Sequence, residues 1–168
     1  MKRSILLFSI LALMAISCDR TPVITIDPNA KDPYKENMIN ANKIISQSED
    51  TKISSYIERR GWDMKQLPNG EYLQEVEKGK GGAIDFEDTI SVSYSVSFLT
   101  GTTVYPHEEE TFVVGQHKPT VGLDRAVLEL RHGSKARLIL PSSLGYGVVG
   151  DGDKIPGRAV LVYELEVL

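Results

Sequence analysis

The chain has 168 residues, enough for one domain with appendages, and its 41% hydrophobic and 25% charged content is that of an ordinary globular protein. Its net charge of −4 comes without a basic stripe, which argues against nucleic acid as a partner. The lone cysteine, Cys18, excludes an internal disulfide and a cysteine zinc site, and the three histidines, His107, His117 and His132, lack metal-ligand spacing. No metal and no cofactor are expected.

Lys2 and Arg3 precede a mostly apolar run from Ile5 to Ile16. That run is too short to span a bilayer comfortably and reads as a signal peptide over residues 1–17. Ala15-Ile16-Ser17 before Cys18 resembles a bacterial lipobox, although leucine is usual where Ala15 stands. The resemblance implies lipidation of Cys18 and a lipid-anchored protein of the cell envelope, facing the periplasm from the inner or outer membrane. Residues 18–32, with Pro22 and Pro28, read as a tether. Residues 33–61 read as a helical segment. Tyr34, Met38, Ala41 and Ile45 make one stripe and predict a helix over 33–47. Ser48 can cap a second helix, with Ile53, Tyr56 and Ile57 as its stripe and Gly61 as its end. These helices are expected to pack on their own domain; the alternative is an arm for homodimerisation or partner docking.

Residues 62–168 read as the main domain. Asn69-Gly70 predicts a two-residue turn in a hairpin over Trp62–Glu77, and Lys78–Gly82 a flexible connection. Asp88–Leu99 is the clearest strand, with Ile90, Val92, Tyr94, Val96 and Phe98 on one face and serines opposite. Glu110–Val114 offers a short strand. Leu123–Arg131 predicts a helix with Leu123, Ala126, Val127 and Leu130 as its stripe, closed by Gly133. Ala136–Leu140 and Ala159–Leu168 alternate as strands. Between them Ser142–Gly157 is a long glycine-rich loop, a kind of segment that often carries function. Its glycines are followed by neither a lysine-serine pair nor a helix, which argues against phosphate binding. The architecture is α+β: an antiparallel sheet with a short helix across its apolar face.

From about Asp88 onward the chain resembles an FKBP-type peptidyl-prolyl isomerase. The resemblance lies in VSYSVSFL at Val92–Leu99, FVVGQ at Phe112–Gln116, GLDRAVLELRHGSKARLILP at Gly122–Pro141, LGYG at Leu144–Gly147 and the ending KIPGRAVLVYELEVL. The N-terminal helices and Arg59–Trp62 further resemble gliding-motility-associated FKBP lipoproteins of Bacteroidetes. The resemblance implies a half-open antiparallel sheet wrapped around a short α-helix, with an N-terminal helical extension here. It implies peptidyl-prolyl cis-trans isomerase activity on proline-containing polypeptides, assisting the folding of exported proteins. Tyr94 and Tyr146 are implied as the catalytic side chains. Val104, Tyr105, Phe112, Thr120, Leu123, Ile155 and Tyr163 are implied to bind substrate, with Leu123 at the pocket floor and the Thr120 N–H donating to the peptide.

By pattern alone Tyr94, Phe112, Leu123 and Tyr163 are core residues; in this fold, core and pocket floor are one surface. Tyr146, between two glycines in a long loop, has little reason to be there for packing. The chain also departs from the family: Val104-Tyr105 stands where phenylalanine-aspartate is usual, Glu110 replaces an aromatic, and Pro119-Thr120 replaces two aliphatics. Those departures keep open a catalytically weak peptide-binding, chaperone or assembly module.

Overall fold

The structure is a computed structural model and describes residues 33–168. The expected signal peptide, Cys18 and the tether lie outside these residues. The chain divides into two units, Met1–Asn37 and Met38–Leu168. Of the first, only the start of one helix is described; the sheet and its coverings belong to the second.

Helix α1 runs unbroken over Pro33–Arg60, where the stripes predict two helices. The sequence from Pro33 to Arg60 contains no glycine and no further proline, so nothing forces a break at Ser48. The helix ends as expected at Gly61, whose φ of +62° favours glycine. There the N–H of Trp62 donates to the Ile57 carbonyl at 3.2 Å and that of Gly61 to Glu58 at 3.1 Å, the paired bonds of a Schellman cap. The side chains beyond the cap hold the corner. The Arg60 guanidinium lies 5.1 Å from the Tyr56 ring and 5.9 Å from Trp62, and Arg137 lies 4.6 Å from the same indole. This accounts physically for Arg60 and Trp62, and the cap for Gly61. The stripe expected at Met38 is not core, since Met38, Ile39 and Ile44 are exposed.

Six antiparallel strands form one sheet in the order β1-β2-β5-β6-β3-β4. They are β1 Lys65–Gln66, β2 Tyr72–Glu77, β3 Thr89–Phe98, β4 Thr103–Val113, β5 Lys135–Leu140 and β6 Leu161–Val167. The β1–β2 hairpin exists, but its loop is longer than the two residues expected. The Leu67 N–H donates to Glu71 and Gly70 to Leu67, so Asn69-Gly70 turns inside a five-residue connection. The Lys78–Gly82 segment is also not free. Gly79 N donates to Ser134 Oγ and Gly81 N to the His132 carbonyl, and a Cβ at Gly79 would stand 2.2 Å from that carbonyl oxygen. β4 reaches well before the expected Glu110, along the edge of β3.

The sheet is covered on both faces, but unequally. The inner face carries Ile90, Val92, Tyr94 and Val96 of β3, all buried as the alternation of that strand requires. Helix α2, Val121–Ala126, lies on it, followed by a 3-10 turn over Val127–Glu129. The expected helix Leu123–Arg131 therefore begins two residues earlier and stops sooner. Thr120 sets its start, accepting the Leu123 N–H on its side-chain oxygen at 3.3 Å. Arg131 instead bridges to Ala83, and Gly133 serves the turn into β5 by donating to the Val167 carbonyl. The stripe itself is right, for Leu123, Ala126, Val127 and Leu130 are all buried.

On the outer face one cross-sheet row, Tyr72, Ile139 and Val162, is apolar and buried beneath Ile53 and Tyr56 of α1. The next rows are charged: Arg137 lies 3.6 Å from Glu164, and Lys135 lies 3.9 Å from Glu166. The helix covers Val160 and Val162 but not the charged rows, which explains why the chain reads apolar on this side up to Val162 and acidic after it. It also explains why Ile139 interrupts the alternation expected of β5.

Asp124, in the first turn of α2, is 2% exposed and accepts the N–H groups of Gly115 at 2.8 Å and His117 at 2.9 Å. It ties the β4–α2 connection to the helix. Asp124→Ala leaves both donors without an acceptor and is expected to cost about 1–3 kcal/mol, read as a lower urea midpoint at unchanged slope.

Candidate functional site

Tyr94 comes from β3, Val104, Tyr105 and Phe112 from β4, Thr120 and Leu123 from the start of α2, Tyr146 and Ile155 from the loop before β6, and Tyr163 from β6. Tyr94, Phe112, Leu123, Ile155 and Tyr163 are buried in one cluster, and Val104, Tyr105 and Tyr146 pack on it half-buried. Thr120 is buried beside Tyr163, whose hydroxyl meets the Thr120 side chain and the Tyr146 hydroxyl. The residues proposed from the sequence therefore belong to, pack on or adjoin one core cluster. Leu123 is 0% exposed, Tyr163 1% and Ile155 3%, so the floor is filled by the protein's own side chains and what solvent reaches is the rim.

The local backbone makes this arrangement. β3 presents Tyr94 inward by simple alternation, and β6 places Tyr163 two positions from it on the facing strand, with ring centroids 5.5 Å apart and tilted by 51°. In β4 the register shifts where Glu108 pairs with Tyr94 but Tyr105 pairs with Val96. The bulge lets the consecutive residues Val104 and Tyr105 both reach the cluster. The loop that carries Tyr146 is braced within itself. Gly147, at φ +64°, accepts from the Arg158 N–H at 2.7 Å, and the Tyr146 carbonyl accepts from Gly150 at 3.2 Å. Asp151 Oδ1 accepts the N–H groups of Asp153 at 2.9 Å and Ile155 at 2.8 Å, which sets Ile155 against the core.

Two carboxylates pair with the tyrosines. Tyr94 donates its hydroxyl to Glu110 Oε2 at 3.1 Å, and Tyr105 donates to Asp151 Oδ2 at 2.5 Å. The Lys154 ammonium lies 4.7 Å over the Tyr105 ring. Burial, then the Glu110 carboxylate, pushes the Tyr94 phenol far up. Burial, then Asp151 and Glu110, pushes Tyr146 up, and burial does the same to Tyr163. The hydrogen bond to Asp151 pushes Tyr105 up to about 12. Partial desolvation of Asp151 opposes its ionisation, but the bonds from Tyr105 and the backbone N–H groups outweigh it and hold the carboxyl below its usual range. At neutral pH the site is therefore a set of protonated phenols, able to donate hydrogen bonds, over an apolar floor.

Sequence reasoning misses Asp151 and reads Glu110 only as a lost aromatic. The Asp151-Gly152-Asp153 run is an Asx-turn signal that could have found the first. Glu110 cannot be matched with Tyr94 without the β3–β4 register, since it lies diagonally across from it rather than opposite. Tyr105 stands where the resemblance leads one to expect aspartate, and the loop supplies a carboxylate to it from the far side.

Comparison with known proteins agrees with this geometry. The family model for FKBP-type peptidyl-prolyl cis-trans isomerase matches residues 82–168. FK506-binding protein 2 of Dictyostelium discoideum is 35% identical over 85 residues, 48% of this chain and 64% of that protein. Peptidyl-prolyl cis-trans isomerase FKBP2 of Homo sapiens is 34% identical over 85 residues, 48% of this chain and 60% of that one. The match thus covers less than two thirds of either relative. Among solved structures, a peptidyl-prolyl cis-trans isomerase of Pseudomonas syringae aligns with a TM-score of 0.61 at 24% identity, covering 75% of this chain and 92% of its own. FkpA of Escherichia coli aligns with a TM-score of 0.58 at 23% identity, covering 83% and 73%. These two likenesses speak for the fold: an open antiparallel sheet, a short helix across it and a helix before it. With the family model matched over more than half its length, this chain belongs to the FKBP-type peptidyl-prolyl cis-trans isomerase family.

Proposed function

We propose that this protein catalyses cis-trans isomerisation of X-Pro bonds in exported polypeptides. One observation carries the reading: the Tyr146 phenol, on a braced loop, stands beside Tyr163 over the floor of Leu123, Phe112 and Ile155. Rotation about the peptide bond meets a barrier of about 18–20 kcal/mol because it breaks amide resonance. The twisted amide is less dipolar than the planar one, so an apolar, aromatic surface disfavours the planar form relative to it. Tyr146 donates to a carbonyl of the bound peptide and fixes its position while the prolyl bond turns. The chemistry needs no nucleophile and no proton transfer. The names of the curated relatives point the same way.

We further propose that Cys18 carries lipid and anchors the protein in the cell envelope, in the setting of the gliding-motility lipoproteins that Arg59–Trp62 resembles. Slow prolyl isomerisation limits folding, and tethering raises the isomerase's concentration near emerging chains. A homodimer through α1 belongs to the same proposal, supported by the exposed Met38, Ile39 and Ile44.

With a proline-containing tetrapeptide and the full chain, Tyr146→Phe is expected to lower kcat/KM roughly tenfold, the worth of one hydrogen bond. No rate above background for the parent protein would overturn the isomerase reading. Because the four phenols titrate above 10.0 and Asp151 below 3.8, none changes charge near neutrality, and kcat/KM should stay flat from about pH 5 to 9. A bell centred on neutral pH would contradict this assignment of groups. Tyr105→Asp, though it restores the commoner family residue, sets a second carboxylate against Asp151 and removes its donor, so it should reduce the rate rather than raise it. Cys18→Ser is expected to move the protein from the membrane pellet to the supernatant on fractionation.

A further inference from the structure

Among the described residues, Glu49 is the one buried carboxylate of α1. It lies one turn before Ile53 and two before Tyr56, and all three point at the domain. It is 6% exposed, and both of its oxygens are used: Oε2 accepts the Ser142 backbone N–H at 2.9 Å and Oε1 accepts the Ser142 hydroxyl at 2.6 Å. Packing a helix on a sheet does not need this. A leucine would fill the space without the desolvation that a buried carboxylate costs. The use of the pair lies in what Ser142 holds in turn.

Ser142 opens the loop that carries Tyr146. Its carbonyl accepts the N–H of Gly147 at 2.8 Å and of Gly145 at 3.3 Å, the two residues that flank Tyr146. One residue thus receives the helix on its N–H and hydroxyl and holds the tyrosine's neighbours on its carbonyl. The far end of the segment closes on the same point, because Arg158 N donates to the Gly147 carbonyl. Beside it, Leu144 packs close to Gly122 in the first turn of α2; a Cβ on Gly122 would stand 3.1 Å from the Leu144 Cβ. Chains of hydrogen bonds through one residue polarise and stiffen each other in a partly desolvated setting.

We propose that Glu49 is a positioning residue for the isomerase site, acting through Ser142 to hold Tyr146 at the rim. Helix α1 is then part of the catalytic unit and not an appendage to it. Glu49 lies well before the residues matched to the family, at 82–168, so the family match does not reach it. The inference rests on the isomerase reading for its catalytic half. Its structural half, the tether from α1 to the loop, stands independently.

The test uses the full chain with Glu49→Ala, Glu49→Gln and Ser142→Ala. Each is assayed on a proline-containing tetrapeptide well below its unfolding temperature, and each is followed by amide hydrogen exchange. Glu49→Ala is expected to lower kcat roughly ten- to a hundredfold, since misplacing a catalytic group by about an ångström costs that much, with a smaller change in KM. The amides of Gly145 and Gly147 should exchange faster while those of Val96 and Tyr163 in the sheet stay protected. Glu49→Gln keeps an oxygen for the Ser142 N–H and an amide to donate to its hydroxyl, so it should recover most of the rate. Ser142→Ala, which keeps the backbone bond, should fall between the two, and it decides the matter if Glu49→Ala does not fold. Unchanged kcat with unchanged Gly147 exchange overturns the proposal, as does exchange that quickens uniformly across the sheet. An inactive parent protein would instead overturn the isomerase reading, and the exchange at Gly145 and Gly147 would still judge the tether.

Discussion

The packing of α2 on the inner face of the sheet, against β5, is the constraint on which the rest depends. Leu123 is fully buried there, just after a helix start fixed by Thr120 and in one cluster with Tyr94 and Tyr163. The same atoms form the core and the floor of the site. Burying such side chains is worth about 1.5–3 kcal/mol each, so the floor is among the best stabilised parts of the molecule. The rim is different in kind. Val104, Tyr105 and Tyr146 pack on the core cluster half-buried, and the bond from Tyr105 to Asp151 and the backbone bonds within the loop add to that packing.

That division explains which parts are legible in the residues alone. β3 is legible because a strand with one buried face must alternate, and Ile90 through Val96 do so without a break. The Gly61 stop is legible because few residues but glycine accept the backbone conformation found there. Ser48 misleads because a serine with acids after it is an N-cap signal only when the chain before it leaves the helix, and here it does not. The start of α2 falls two residues before the expected one because the cap, Thr120, precedes the apolar stripe and makes no mark on the periodicity. The floor residues are reached through pattern and resemblance together. Their partners Glu110 and Asp151 are not, for each is joined to its tyrosine by register or loop path, and local sequence carries neither.

The outer face shows the same principle at larger scale. β6 and β5 change from apolar to charged after the same cross-sheet row because α1 covers the sheet as far as that row and not beyond it. Neither strand alone says why it changes. Laid side by side in register, Tyr72, Ile139 and Val162 outline the footprint of a helix that begins more than a hundred residues before β6. The cation–π cluster at Trp62 then holds the end of that helix against Arg137 of β5, so the footprint is pinned at its corner.

The departures from the commoner family pattern also read differently in this light. Taken singly, Tyr105 and Glu110 look like losses of a polar and an aromatic group from the site. In the structure each enters a phenol–carboxylate pair, Tyr105 with Asp151 and Glu110 with Tyr94. One carboxylate comes from β4 and the other from the loop before β6, so each pair joins two elements. Such a pair keeps the phenol protonated at neutral pH. A residue's role here is therefore set by a charge that another segment supplies. Each of these residues is understood only with its partner, which the sequence places elsewhere.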